Sequence, residues 1–290
     1  MSQLIKFSLL CSVLLSQFVV AENIAIVGGK VHTMSSQGTL ENATVLINDG
    51  KIQKVIEGSA STEGYKIIDA KGKVVTPGLI GARTTLGLVD VGFSGGTNDS
   101  NSSSTSISKT GAAFDVSYAI NPDSTLLAIS RIEGVTSAAT SMERTGQMFN
   151  GQGAFITLGG SNAPVIQARS FISTRVSNSG ANTIGGSRGV LWVSLENALA
   201  EAKFAIRNKL KMGQQWHAET SKADIAALIP VVKGDIPLLV DARRVADIRQ
   251  VIALKQRQPK LDIVITYATE GWRIANEIAD NNIAVILDPE

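Results

Sequence analysis

The sequence predicts an α/β protein in which a small β unit precedes a larger, mostly parallel sheet covered by helices. Two patterns carry this. Residues 23–69 are short apolar runs cut by Gly and Asn-Asp-Gly, whereas residues 236–287 alternate near-continuous apolar runs with helical stripes. A chain of 290 residues can bury a substantial core. Hydrophobic residues at 44% and charged residues at 18% describe an ordinary globular protein. A formal charge of +2 supplies no concentrated basic patch, so nucleic acid is not an expected partner.

The elements follow in chain order. In residues 1–21, Lys6 precedes the apolar run Phe7 to Leu15, and Val19-Val20-Ala21 offers small residues for cleavage. This is the layout of a secretory signal peptide, interrupted by Ser16-Gln17 and short of the ~20 apolar residues of a membrane span. Its removal takes away Lys6 and Cys11, the only cysteine, so the mature chain has no disulfide and no membrane span. A periplasmic or secreted location is expected. Residues 22–75 then read as an antiparallel β unit. Thr44-Val45-Leu46-Ile47 and Lys51 to Ile56 flank Asn48-Asp49-Gly50, a strong hairpin signal. Residues 88–125, rich in Ser, Asn and Gly, read as an exposed, mobile loop, either a lid or a tolerated insertion. Asn42, Asn98 and Asn101 match glycosylation acceptors, relevant only to a eukaryotic secretory route. Residues 134–139 and 153–159 read as strands between glycines. A helix is expected over 193–212, with Leu195, Ala198, Leu199, Ala202, Ala205, Ile206 and Leu210 on one stripe and Gly213 as its stop. The last third predicts strand, helix, strand, helix, strand, with Val245, Ile248, Val251 and Ile252 on one side of the first helix and Trp272, Ala275, Ile278 and Ala279 carried by the second.

One segment says more than its periodicity. Val74-Val75-Thr76-Pro77-Gly78-Leu79-Ile80-Gly81-Ala82-Arg83-Thr84-Thr85 resembles the barrel entry of the amidohydrolase superfamily, which typically reads Pro-Gly-Leu-Ile-Asp-Ala-His-x-His. The β unit and Tyr267-Ala268-Thr269-Glu270, similar to a His-Gly-Thr-Glu segment, extend the resemblance over residues 23–290, nearest to the imidazolonepropionase-like branch. It implies a partial TIM-like (β/α)8 barrel over 76–290 behind a small N-terminal β-sandwich portion. The segment from Thr76 is shorter than the ~250 residues of a full barrel, so the chain reads as C-terminally truncated or as completed by another chain.

The resemblance also implies one or two divalent metals, usually zinc, that activate water to hydrolyse non-peptide carbon–nitrogen bonds such as cyclic amides. Here the ligand positions fall on Arg83 and Thr85 of the first strand, Asp241 of the fifth and Tyr267 of the sixth. Only His32 and His217 exist, too few for a four-histidine set. No cofactor and no catalytic or metal residue is therefore assigned, and Arg83, Thr85, Asp241 and Tyr267 are the degenerate positions of the former site. Opposite charges at two of them make an Arg83–Asp241 ion pair a candidate occupant. His32 is expected to make a structural hydrogen bond. Asp90, Asp99, Glu270 and Asp288 read as caps, turn residues or solvated carboxylates, and Gly159-Gly160 and Gly185-Gly186 lack the phosphate-loop pattern. Three functional readings follow. The first is a non-catalytic, exported binding or scaffold protein, partnered by a full-length relative or by itself. The second is a hydrolase with rearranged ligands such as His217, Asp241 and Glu270. The third is a truncated product without independent function.

Overall fold

The structure, a computed structural model, describes residues 22–91, 96, 98–101, 110–208 and 219–287. Residues 1–21, expected from their sequence to be a signal peptide, the centre of the Ser/Asn-rich loop, Leu210, Gly213, His217 and Asp288 lie outside the described residues. Those described divide into two compact units, one ending at Pro77 and one beginning at Gly78.

The first unit is a five-stranded sheet. Strands β1 (Ile24–His32), β2 (Thr39–Asn48), β3 (Lys51–Glu57) and β4 (Lys66–Asp69) lie in the order β3-β2-β1-β4, and β5 (Val74–Val75) pairs with the far end of β1. The Asp49-Gly50 hairpin forms as expected, with φ of 51° and 70° at its two turn residues and Asn48 opposite Lys51. Positive φ at both positions matches the turn to the right-handed twist of the strands, which is why Asp-Gly is favoured there. The unit is mixed rather than purely antiparallel, because β4 and β5 both run parallel to β1. Val31, Ala43 and Val45 form its small core.

The second unit is built on a seven-stranded sheet in strict chain order: β6 (Leu79–Thr84), β7 (Val135–Thr140), β8 (Phe149–Thr157), β9 (Val165–Arg175), β10 (Leu238–Ala242), β11 (Ile263–Tyr267) and β12 (Ala284–Leu287). Helices α1 (Thr125–Ile132), α2 (Asn178–Asn182), α3 (Arg188–Asn208), α4 (Lys222–Lys233), α5 (Val245–Arg257) and α6 (Ala275–Asp280) connect them. The fold class is α/β, a partial TIM-like barrel. Pairing is parallel from β9 to β12 and between β6 and β7, while β8 runs antiparallel to both neighbours. The β7–β8–β9 meander is short enough to need no crossover helix, and this separates the middle of the chain from a βα repeat.

The strand–helix rhythm of the last third is as expected. Val240, Ile248, Val251, Ile263, Ile265 and Ile278 meet in one core with Leu191, Leu195 and Leu199 of α3. Trp272 lies in a 3-10 turn at Gly271–Ile274 that precedes α6, outside the helix expected to carry it, and is 79% exposed; of the four residues only Ile278 is buried. Strand β9 and helix α4 have no counterpart among the sequence expectations. In α4, Pro230 masks a segment otherwise capped at both ends, with Ser221 Oγ accepting from Asp224 N and Gly234 left-handed at the C-terminus.

The far part of the 88–125 segment is packed, not exposed. Ala112 and Val116 are buried, and Asp224 holds the chain beside them. Its Oδ1 accepts from Gly111 N at 3.0 Å and Ala113 N at 2.7 Å, while Oδ2 accepts from Ser221 Oγ at 2.9 Å. This carboxylate is 5% exposed. Asp224→Ala leaves buried N–H donors without an acceptor, and a loss of about 2–3 kcal/mol in unfolding free energy is expected by urea denaturation. A change within about 0.5 kcal/mol, the ordinary range for surface substitutions, would contradict the pinning.

Candidate functional site

A parallel register sets the site at the C-terminal ends of the strands. Asp241 of β10 pairs with Arg175 of β9 on one side and Thr266 of β11 on the other. Register partners project to the same face of a sheet, so the three side chains form one row. Two residues below, Ser173 pairs with Leu239 and repeats the arrangement. All five line one cavity of about 450 Å³.

Tyr267 reaches this cavity by breaking the strand pattern. Its φ is +69° and that of Ala268 is +45°, two successive left-handed residues without a glycine. Such conformations carry strain and concentrate at functional positions. They end the alternation of β11, so that Tyr267 lines the same cavity as its neighbour Thr266. Arg243 lies 3.9 Å and Arg83 4.5 Å from the centroid of the Tyr267 ring. The Arg83–Tyr267 contact joins strands that are four positions removed from pairing in sheet order, so the sheet curls far enough for β6 and β11 to meet across its interior. Hydrogen bonds hold the end of β6 against β7: Thr140 Oγ1 donates to Leu86 O at 2.8 Å, and Ser141 N to Thr84 O at 3.0 Å.

The expected Arg83–Asp241 ion pair is replaced by another arrangement. Asp241 is 5% exposed and accepts from Arg243 Nε at 3.1 Å, a partner two residues along its own chain, while Arg83 stacks on Tyr267. Thr85 lies in an adjoining cavity of about 550 Å³ that also includes Arg83 and Tyr267. Three of the four degenerate positions thus share one cavity, and Thr85 belongs to its neighbour. Glu270 is committed elsewhere: its Oε2 accepts from Val245 N at 2.9 Å at the start of α5. Asp90 accepts from Asn121 Nδ2 at 3.0 Å, and His32 Nδ1 meets Thr39 Oγ1 at 2.8 Å within the first sheet.

The structure adds residues that the sequence reading does not contain, above all Arg175. Only 7% of it is exposed, and its Nη2 donates to Thr145 O at 3.0 Å. Burial lowers its pKa from the ordinary arginine value, Asp241 opposes that shift, and the like charges of Arg144 and Arg83 add to it. Helix α2 closes over this point, where a Cβ on Gly180 would stand 1.9 Å from Arg175 O, so only glycine permits the approach. Arg144, Ser177 and Asn178 complete the polar wall. Phe171-Ile172-Ser173-Thr174-Arg175, two apolar residues followed by three polar ones, puts polar side chains at the C-terminal end of β9 and is the signal from which this wall is readable.

This donor set does not suit a divalent metal. A guanidinium stays protonated, offers no lone pair and repels a dication, and the phenol of Tyr267 stacks on two such groups. Among the described residues, no group of three or more His, Cys, Asp or Glu is placed to hold an ion.

No protein-family profile matches the chain. Among solved structures it is similar to an amidohydrolase from Thermotoga maritima MSB8, with a TM-score of 0.77 and 20% identity, over 92% of this chain and 70% of that one. Among curated proteins it is similar to dihydroorotases of Citrifermentans bemidjiense and Geobacter sp. strain M21, each 48% identical over 58 residues. That stretch is 20% of this chain and spans only 13% of the length of either dihydroorotase. With this superposition over nine-tenths of its length, and a seven-stranded curled sheet that follows a small β unit in chain order, the chain has the fold of the amidohydrolase superfamily.

Proposed function

We propose that this chain is a non-catalytic member of the amidohydrolase superfamily, whose strand-end cavity binds a ligand without hydrolysing it. One observation carries the reading. The positions at which the superfamily holds its metal carry a guanidinium, a carboxylate engaged by a second guanidinium, and a phenol stacked on both. Water near neutral pH is a poor nucleophile, and a bound dication lowers its pKa toward ~7; this wall offers no such lever.

The cavity remains well formed. It is about 450 Å³, within the size of small-molecule sites, and its polar groups converge from several strands. Export completes the proposal, supported by the charged, apolar and small-residue order of residues 1–21. A binding protein outside the cytoplasm, acting alone or beside a full-length relative, combines these features. Among the described residues, no helix is long and apolar enough to cross a membrane.

The local similarity to dihydroorotases makes cyclic amides the substrate class to test. Purified mature chain, assayed with dihydroorotate and hydantoin in the presence of added zinc, is expected to give no hydrolysis above the uncatalysed rate. Turnover that disappears with a chelator would overturn the non-catalytic reading.

A further inference from the structure

We propose that the strand-end cavity is a binding site for a small, doubly charged oxyanion, a phosphate group or a dicarboxylate. The inference deepens the non-catalytic reading of the same site and rests on it. Charge is the first observation. Among the described residues, Arg83, Arg144, Arg175 and Arg243 line the cavity together with two carboxylates, Glu143 and Asp241. One of those carboxylates is already engaged by Arg243.

The second observation is independent of charge. Arg175 Nε and Ser173 Oγ are buried polar atoms without a hydrogen-bond partner among the described residues, and both side chains line the cavity. Buried donors are almost always satisfied, and an orphaned one calls for a ligand or a bound water. A guanidinium presents parallel N–H groups in a planar fork that matches two oxygens of a carboxylate or phosphate. Arg175 has little freedom to turn away, since Nη2 is tied to Thr145 O and Gly180 closes against its backbone. A hydroxyl two residues before it on the same strand, projecting the same way, adds a donor to the same oxyanion.

The uncharged cavity chemistry agrees. Thr266, Ser177 and Asn178 supply hydroxyl and amide groups on the wall, and Leu239 supplies an apolar patch for a short carbon skeleton. The positions that once suited a dication thus suit its opposite. No bond is made or broken in this proposal, and the ligand leaves as it entered.

The test is calorimetric titration of the mature chain with inorganic phosphate and with succinate at low ionic strength, using succinamide as the uncharged control. Saturable one-to-one binding of phosphate or succinate is expected, with none for succinamide; the tighter of the two identifies the oxyanion class. Ser173→Ala, a small change that leaves Arg175 in place, is expected to weaken binding about fivefold to tenfold. Asp241→Asn removes a competing charge and is expected to tighten it. Arg175→Gln abolishes binding if it folds, and Ser173→Ala keeps the proposal testable if it does not. A folded wild-type chain that shows no saturable binding overturns the proposal, as does binding that is indifferent to both Ser173→Ala and Asp241→Asn. Metal content and cyclic-amide hydrolysis, measured on the same sample, separate the two claims. An inactive, metal-free chain that ignores both anions sinks only the oxyanion site, whereas stoichiometric metal with turnover sinks the reading beneath it.

Discussion

Asp241→Ala is expected to lower the unfolding free energy by about 3 kcal/mol, the lower end of the cost of stranding a buried charge. The carboxylate is 5% exposed and pairs in register with Arg175, itself 7% exposed. Burial already disfavours the charged form of Arg175, and Asp241 is the carboxylate that offsets it. Its removal leaves one guanidinium buried beside the like charges of Arg83 and Arg144, and takes the acceptor from Arg243 Nε. Arg243 is half-exposed and can turn to water, so its share of the loss is small. Asp241→Asn keeps the shape and one acceptor oxygen, and about half the loss is expected. Urea denaturation in a buffer free of phosphate and carboxylate measures both, because an anion in the cavity would supply the missing charge and hide the effect. Two variants as stable as the parent would show that Arg175 does not depend on Asp241.

The same substitutions bear on what the sequence alone reveals. Asp241 and Tyr267 were legible as positions because their strands are continuous apolar runs, and because a segment like Tyr267-Ala268-Thr269-Glu270 fixes the register. Their partners were not legible. A sequence shows that Arg83 and Asp241 carry opposite charge, but not that a guanidinium two residues further on reaches the carboxylate first, at 3.1 Å. Nor does it show that φ of +69° turns Tyr267 into the cavity to meet Arg83.

Arg175 escaped for a different reason. Strand β9 belongs to an antiparallel meander, where β8 reverses the direction expected of a βα repeat, and its alternation is diluted by Gln167, Arg169 and Ser170. Periodicity served the last third well because helix and strand there each bury a complete face. It misjudged residues 110–118, where Ala112 and Val116 join apolar clusters and Asp224 captures two backbone amides. Tertiary hydrogen bonds of that kind leave little trace in local composition.

The central claim is that guanidinium chemistry has displaced metal chemistry at the strand ends. Arg83 and Tyr267 stand where the superfamily resemblance expects imidazoles, and a fixed positive charge there opposes a dication by direct Coulomb repulsion. The most direct measurement is metal content by plasma mass spectrometry on purified residues 22–290, expressed with added zinc and confirmed as folded. Zinc, manganese and iron are all expected well below one per chain. Near-stoichiometric metal in the folded protein would contradict the claim, showing that ligands outside this wall assemble a centre and returning the site to hydrolysis.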